Sequence, residues 1–240
     1  MKKTLWILAG TLIFGSAALA ADSPCPTGQL TAYGLTGHNE ALGVDTFTCH
    51  IGNLDFSQFY IQDTAAPSSL VINAGDIAVT PITTALNQGL DFNPGINVNN
   101  TPGGANISED VKIGFTVTTV DGSSTIEDLG IGFDGSFTGT GTTNFNETWG
   151  PTAPPSCGIC SFSVTNPPIN LTNEVVLASP TNTISVLKDV NGATGTDGSA
   201  FISDFKNQFS QVVPEPTYTA LLAAGLLGLG WLRKRRQSQI

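Results

Sequence analysis

Ten residues, Val111 to Val120 (VKIGFTVTTV), limit this chain more than any others. Apolar side chains occupy alternate positions at Val111, Ile113, Phe115 and Val117, with Lys112, Thr116 and Thr118 between them. Successive side chains of a strand point to opposite faces, so this spacing gives one face to a core and the other to water. A helix would scatter the same residues around its circumference. The rest of the chain agrees. Gly, Thr, Asn, Ser and Asp are abundant, whereas Lys, Glu, Arg and Met are scarce. Short apolar or alternating runs recur at 44–51, 54–61, 69–72, 77–80, 125–133, 135–140, 159–164, 174–178, 183–188 and 200–209. Turn-rich stretches separate them, and the whole reads as an all-β, antiparallel β-sandwich, jelly-roll-like or Ig-like.

Details of that sandwich follow from local chemistry. In 54–61, Leu54, Phe56 and Gln58 share one face, and Phe59 and Ile61 the other. Asp121-Gly122 reads as a hairpin turn that returns the chain into 125–133. Segments 25–39, 87–106 and 144–156 are dense in Gly, Asn or Pro and read as loops. The run 200–209 alternates only in part and reads as a last strand, with a short helix as the alternative.

Both ends of the chain carry handling signals. Lys2 and Lys3 precede the apolar run Leu5 to Phe14, and Ala18-Leu19-Ala20 forms an A-x-A cleavage site. Residues 1–20 therefore read as a secretory signal peptide, with the mature chain beginning at Ala21. At the other end, VPEPTYTALLAAGLLGLGWLRKRR has three parts in order. Pro214, Glu215 and Pro216 form an extended turn that cannot join a helix, because two backbone donors are missing and φ is fixed at two residues. Residues 218–232 are apolar or small, a run shorter than the roughly 20 residues of an ordinary span. Bilayer thinning and snorkelling basic residues accommodate such a length. Arg233, Lys234, Arg235 and Arg236 hold the C-terminus in the cytoplasm, and Trp231 sits at an interfacial position.

In motif, order and spacing, this tail (213–236) resembles the PEP-CTERM sorting signal of exported bacterial proteins. The resemblance implies a membrane helix that holds the chain until an exosortase-type transpeptidase processes the Pro214–Pro216 region. It implies signal peptidase and the secretion machinery as earlier partners, and the cell surface or extracellular matrix as destination. The family's usual setting implies an exopolysaccharide partner. It leaves residues 21–212 as the ectodomain.

That ectodomain is strongly acidic. It holds three basic residues (Lys112, Lys188, Lys206) against 18 acidic ones, a net charge near −15. Such a body repels phosphate backbones, which excludes nucleic acid as a partner. The absence of Arg removes bidentate clamps for phosphate or carboxylate.

Candidate chemistry is sparse. Cys25, Cys49, Cys157 and Cys160 lie in an exported body, where disulfides persist. Of three pairings, Cys25–Cys49 and Cys157–Cys160 are favoured: the first staples a loose N-terminal loop to a strand, the second closes a small ring. A redox role for Cys157-Gly-Ile-Cys160 would need a helix N-terminus, which a Pro-rich context does not provide. A zinc site would have only His38 and His50 to add. Asp189, Asn191 and Asp197 offer oxygen ligands in a Gly-rich turn, a weak calcium candidate without the terminal Glu of a full loop. No catalytic motif is present, which points away from an enzyme and leaves no required cofactor. The expected role is structural or adhesive. A carbohydrate-binding module would show an exposed platform of Trp149 with Tyr33 or Tyr60. A glycoside hydrolase would show two convergent carboxylates about 5–10 Å apart in a cleft.

Overall fold

The alternation at Val111–Val117 becomes a central strand of one of two antiparallel sheets. The computed structural model describes residues 23–41, 47–67, 70–84, 87–122, 124–151, 160–166 and 171–212. The expected signal peptide, with Ala18, Ala20 and Ala21, lies outside these residues. So do Cys157 and the whole of 213–236, including Pro214, Glu215, Pro216, Arg233, Lys234, Arg235 and Arg236. Among the described residues, no helix is long and apolar enough to cross a membrane.

Fourteen strands are described. In chain order the first seven are β1 (Gly28–Gln29), β2 (Asn39–Ala41), β3 (Thr48–Ile51), β4 (Leu54–Ala66), β5 (Ala78–Thr83), β6 (Gln88–Asn93) and β7 (Ile96–Asn99). The remainder are β8 (Ser108–Thr119), β9 (Thr125–Gly139), β10 (Thr142–Gly150), β11 (Ser161–Thr165), β12 (Leu171–Thr181), β13 (Thr183–Ala193) and β14 (Gly198–Val212). The front sheet runs β1-β5-β6-β14-β9-β12, with β7 also on β14. The back sheet runs β11-β10-β13-β8-β4-β2, with β3 also on β4. Sequence neighbours from β8 onward largely alternate between the sheets.

The inward faces meet in an aromatic core. Phe56 and Phe115 of the back sheet pack against Phe92, Phe205 and Phe209 of the front sheet. Phe115 lies 5.7 Å from Phe92 and 6.3 Å from Phe209, ring centre to ring centre. All five are buried. Each such ring removes enough apolar surface from water to contribute about 1.5–3 kcal/mol.

The structure corrects several expectations. Phe59 and Ile61 face the same core as Leu54 and Phe56. A register shift between Ser57 and Tyr60, with Gln58 at φ 54°, inserts one residue and restores the inward phase. Gln58 accepts a hydrogen bond there from the Thr116 hydroxyl at 2.8 Å. Asp121-Gly122 is not a hairpin turn. It carries the chain from β8 in one sheet to β9 in the other, and Asp121 Oδ1 caps the turn by accepting from the Ser124 N–H at 2.9 Å. The two runs 125–133 and 135–140 are one strand, β9. Residues 87–106 contain β6 and β7, and 144–150 lie within β10, so neither is simply a loop. Residues 70–72 form no strand. The last run is a strand throughout, not a helix.

Candidate functional site

The outer face of the front sheet carries an open groove of about 410 Å³. Local sequence explains its floor. In β9, Leu129, Ile131 and Phe133 point inward, so Gly130 and Gly132 fall on the outer face. Cross-strand pairing sets Gly130 between Gln208 of β14 and Glu174 of β12. It sets Gly132 between Lys206 and Thr172. With no side chain on β9 at these two points, the flanking side chains become the walls. The Lys206 stem lies across Gly132, where an added Cβ would come within 2.6 Å of its Cγ.

Asn87, Asp128, Thr172, Asn173, Glu174, Lys206 and Gln208 line the groove. The lining offers amide, hydroxyl, carboxylate and ammonium groups, both donors and acceptors. Asp128 Oδ2 accepts a hydrogen bond from the Ser210 hydroxyl on the neighbouring strand, which fixes one wall. Sequence reading did not single out these residues, because they come from four separate stretches. The local signal that could have been read is the run LGIGF (Leu129–Phe133), which sets two glycines at alternate, outward positions between apolar residues.

The expected aromatic platform is not formed. Tyr33 is buried and stacks edge-on against Phe59 at 4.9 Å, with its hydroxyl donating to the Pro26 carbonyl at 2.8 Å. Trp149 points inward from β10 and is 8% exposed. Tyr60 is half-buried on the opposite sheet and donates to Gln62 at 2.6 Å. Three aromatics on different faces cannot present one stacking surface. Trp149 instead lines an apolar cleft of about 470 Å³ with Val175, Leu177 and Ile184, between the ends of β10 and β12.

The Cys25–Cys49 disulfide is present and ties the segment before β1 to β3. Closing a loop of this length contributes about 3 kcal/mol. Cys160 is disulfide-bonded as well, and Cys157, its expected partner, lies outside the described residues. His50 is half-buried on β3 beside the buried Cys49, on the opposite face of the strand.

The weak calcium candidate does not assemble. Asp189 and Asn191 sit on β13, which extends to Ala193, rather than in a turn, and Asp197 lies past its end. Lys112 holds Asp189 at 3.5 Å, and Asn191 donates to the Glu109 carbonyl at 3.1 Å. Burial, followed by the adjacent Asp110, pushes Asp189 up to about 6. Among the described residues, no group of three or more His, Cys, Asp or Glu side chains is placed to hold a metal.

Asp63 of β4 and Glu109 of β8 are a perturbed acid pair, 3% and 2% exposed. Burial, reinforced by the neighbouring Asp63, pushes Glu109 up to about 9, and burial also raises Asp63. Asp63 Oδ2 accepts from the Ile72 N–H. Asp63 Oδ1 and Glu109 Oε1 have no other donor, so a proton shared between the two acids satisfies both. At this depth neither acid reaches a polymer in solution.

No known family pattern matches the chain, and no curated protein matches it. Solved structures do. One is a family 61 carbohydrate-binding module in complex with β-1,4-galactotriose. It is 11% identical over 64% of this chain and 88% of its own, with a TM-score of 0.28. A second is the family 11 carbohydrate-binding module of Clostridium thermocellum with a mixed-linked tetrasaccharide. It is 12% identical over 75% of this chain and 96% of its own, with a TM-score of 0.24. A third is the enzymatically active domain of a bacteriophage CBA120 tailspike protein. It is 15% identical over 65% of this chain and 19% of its own, with a TM-score of 0.25. At such scores no ligand, site or activity transfers to this chain.

Proposed function

We propose that this chain is an exported, non-catalytic β-sandwich that holds a polysaccharide along the outer groove of its front sheet. The observation that carries the reading is the groove itself: an open trough over Gly130, walled by polar side chains from the adjacent strands β14, β9 and β12 and by Asn87 just before β6. A chain of sugar rings presents hydroxyls at regular intervals, each both donor and acceptor. Asn, Gln, Asp and Glu walls match that chemistry, and Gly130 in the floor lets a ring approach the backbone. Among the described residues no aromatic side chain lines the groove, so it binds by hydrogen bonding rather than by stacking. The alternation of β8 to β14 between sheets favours the jelly-roll-like form of the sandwich.

Export and sorting complete the reading. Residues 1–20 direct secretion, and 213–236 act as a PEP-CTERM-type tail recognised by an exosortase-type transpeptidase. The disulfides support an oxidising compartment. The ectodomain then stands at the cell surface or in the matrix, adhering to the polymer around it.

Affinity electrophoresis of the ectodomain through gels containing neutral, acidic or amino-sugar polysaccharides tests the reading. One of these polymers is expected to retard the protein. Gln208→Ala and Glu174→Ala each weaken retention about tenfold, as for loss of one to two good hydrogen bonds. No reducing ends are released. Retention that survives both substitutions, or no retention by any polymer, would remove the groove from consideration. Sugar release abolished by Asp128→Asn or Glu174→Gln would favour the hydrolase instead.

A further inference from the structure

Between the sheets, three polar side chains meet with no exposure to solvent: Glu147 of β10, Lys188 of β13 and Asn207 of β14. Lys188 Nζ donates to Glu147 Oε2, and Asn207 Nδ2 donates to Glu147 Oε1 at 2.6 Å. One carboxyl group therefore touches both nitrogens, one through each oxygen. Lys188 Nζ also donates to the Lys206 carbonyl at 3.2 Å, which places it beside the backbone of Asn207. The rings of Phe145 and Phe205 close over the amine at 4.9 and 5.7 Å. Asn207 Oδ1 is buried without a hydrogen-bond partner.

We propose that this cluster is a self-modification site at which Lys188 and Asn207 become joined by an isopeptide bond across the two sheets. An amine, a primary amide and a carboxyl group that contacts both nitrogens are what an intramolecular transamidation requires. The uncharged Lys188 Nζ attacks Asn207 Cγ, forming an N–C bond and a tetrahedral adduct. The Glu147 carboxyl takes a proton from the attacking nitrogen and delivers one to Nδ2. The Cγ–Nδ2 bond then breaks and ammonia leaves. One amide replaces another, so no oxidant, reductant or further reactant is needed.

Ionisation favours the same step. Burial pushes Glu147 up and Lys188 down, toward a neutral acid and a neutral amine. A charged ammonium has no lone pair to attack with, so the dry aromatic surroundings generate the nucleophile that water would suppress. Exclusion of water also protects the adduct from hydrolysis. The reacting groups come from strands of different sheets, so the reaction waits for the sandwich to close and then locks it. An ordinary buried ion pair would explain the Lys–Glu contact, but not the placement of a primary amide on the second oxygen of the same carboxylate.

Mass spectrometry decides the matter on the full chain, purified and reduced, with its termini fixed by peptide mapping. The expected mass is about 17 Da below that of the sequence between those termini, from loss of one ammonia. Proteolysis is expected to yield a branched peptide joining Lys188 to Asn207. Lys188→Met, Asn207→Ala and Glu147→Gln each restore the missing mass. A wild-type mass equal to the sequence overturns the proposal, and this reading does not depend on any variant folding. A deficit that maps to another residue, or persists in Asn207→Ala, overturns it equally.

Discussion

Two buried clusters on the inner face of the back sheet treat charge in opposite ways. At Glu147 the carboxyl faces a lysine and an amide. At Glu109 it faces a second carboxyl, Asp63. Burial is the first cause of the upward shift in both glutamates. What differs is the source of compensation. Glu147 is matched by groups built into the fold, whereas Glu109 is matched by a proton drawn from the medium. The first cluster is therefore a fixed part of the architecture, and the second stays coupled to pH.

The largest expected effect comes from breaking the matched cluster on one side. Lys188→Met leaves Glu147 and Asn207 buried without their base and is expected to cost about 3–5 kcal/mol of unfolding free energy. Urea denaturation of wild type and variant measures it. The double variant Glu147→Leu with Lys188→Met also removes the carboxyl and is expected to recover the part of that loss due to an unpaired buried acid, because apolar replacement of a buried pair is often neutral or better. Equal destabilisation in the single and double variants would mean that charge compensation is not what the cluster supplies. A double variant that regains the equilibrium charge balance yet unfolds faster than wild type would fit the loss of a covalent tie between β13 and β14.

The acid pair should answer to pH instead. The folded chain holds a proton on Glu109 up to about pH 9, while the unfolded chain releases it near 4.5. Between those values the native state binds more protons, so stability falls as pH rises. The contribution is complete below about 4.5 and is lost as pH climbs through about 9. Melting temperatures at intervals from pH 5 to 9 should decline for the wild type. Glu109→Gln keeps a donor for Asp63 without a titrating proton and should flatten the decline. Identical slopes for the two proteins would show that the pair does not share a proton.

How much of this was legible beforehand follows from where each pattern is local. The alternation in β8 is, and its inward set Val111, Ile113, Phe115 and Val117 stands as read. Phe59 was misplaced because a single extra residue at Gln58 shifts the phase, and nothing in LDFSQFYI marks the bulge. Residues 144–156 read as loop from their prolines, but Pro151, Pro154 and Pro155 all follow the end of β10, and Glu147 hides the strand's alternation by taking an inward position. The partners that justify a buried Glu147 come from β13 and β14, far along the chain. The groove was hidden for the same reason: Asp128, Glu174, Lys206 and Gln208 belong to three strands that only the sheet order brings together. Asp121-Gly122 has the residues of a hairpin turn, yet sheet partnership is settled by packing rather than by the turn.

The smallest expected effect sharpens the comparison by holding chemistry constant and changing burial. On the outer face of the same sheet, Lys112 lies between Asp110 and Asp189 at 3.7 and 3.5 Å, with its side chain 31% exposed. It therefore has more acidic neighbours within reach than Lys188, but water screens each of them. Lys112→Met is expected to cost no more than about 1 kcal/mol, the usual value of exposed ion pairs. Added salt should shrink that cost further, because a Debye length near 10 Å at 0.1 M already spans these separations and shortens as salt rises. The loss from Lys188→Met should be nearly independent of salt, since no ions penetrate between the sheets. A Lys112 variant as damaging as the Lys188 variant would mean that the number of opposed charges matters more than their burial, and the contrast drawn between the two lysines would fail.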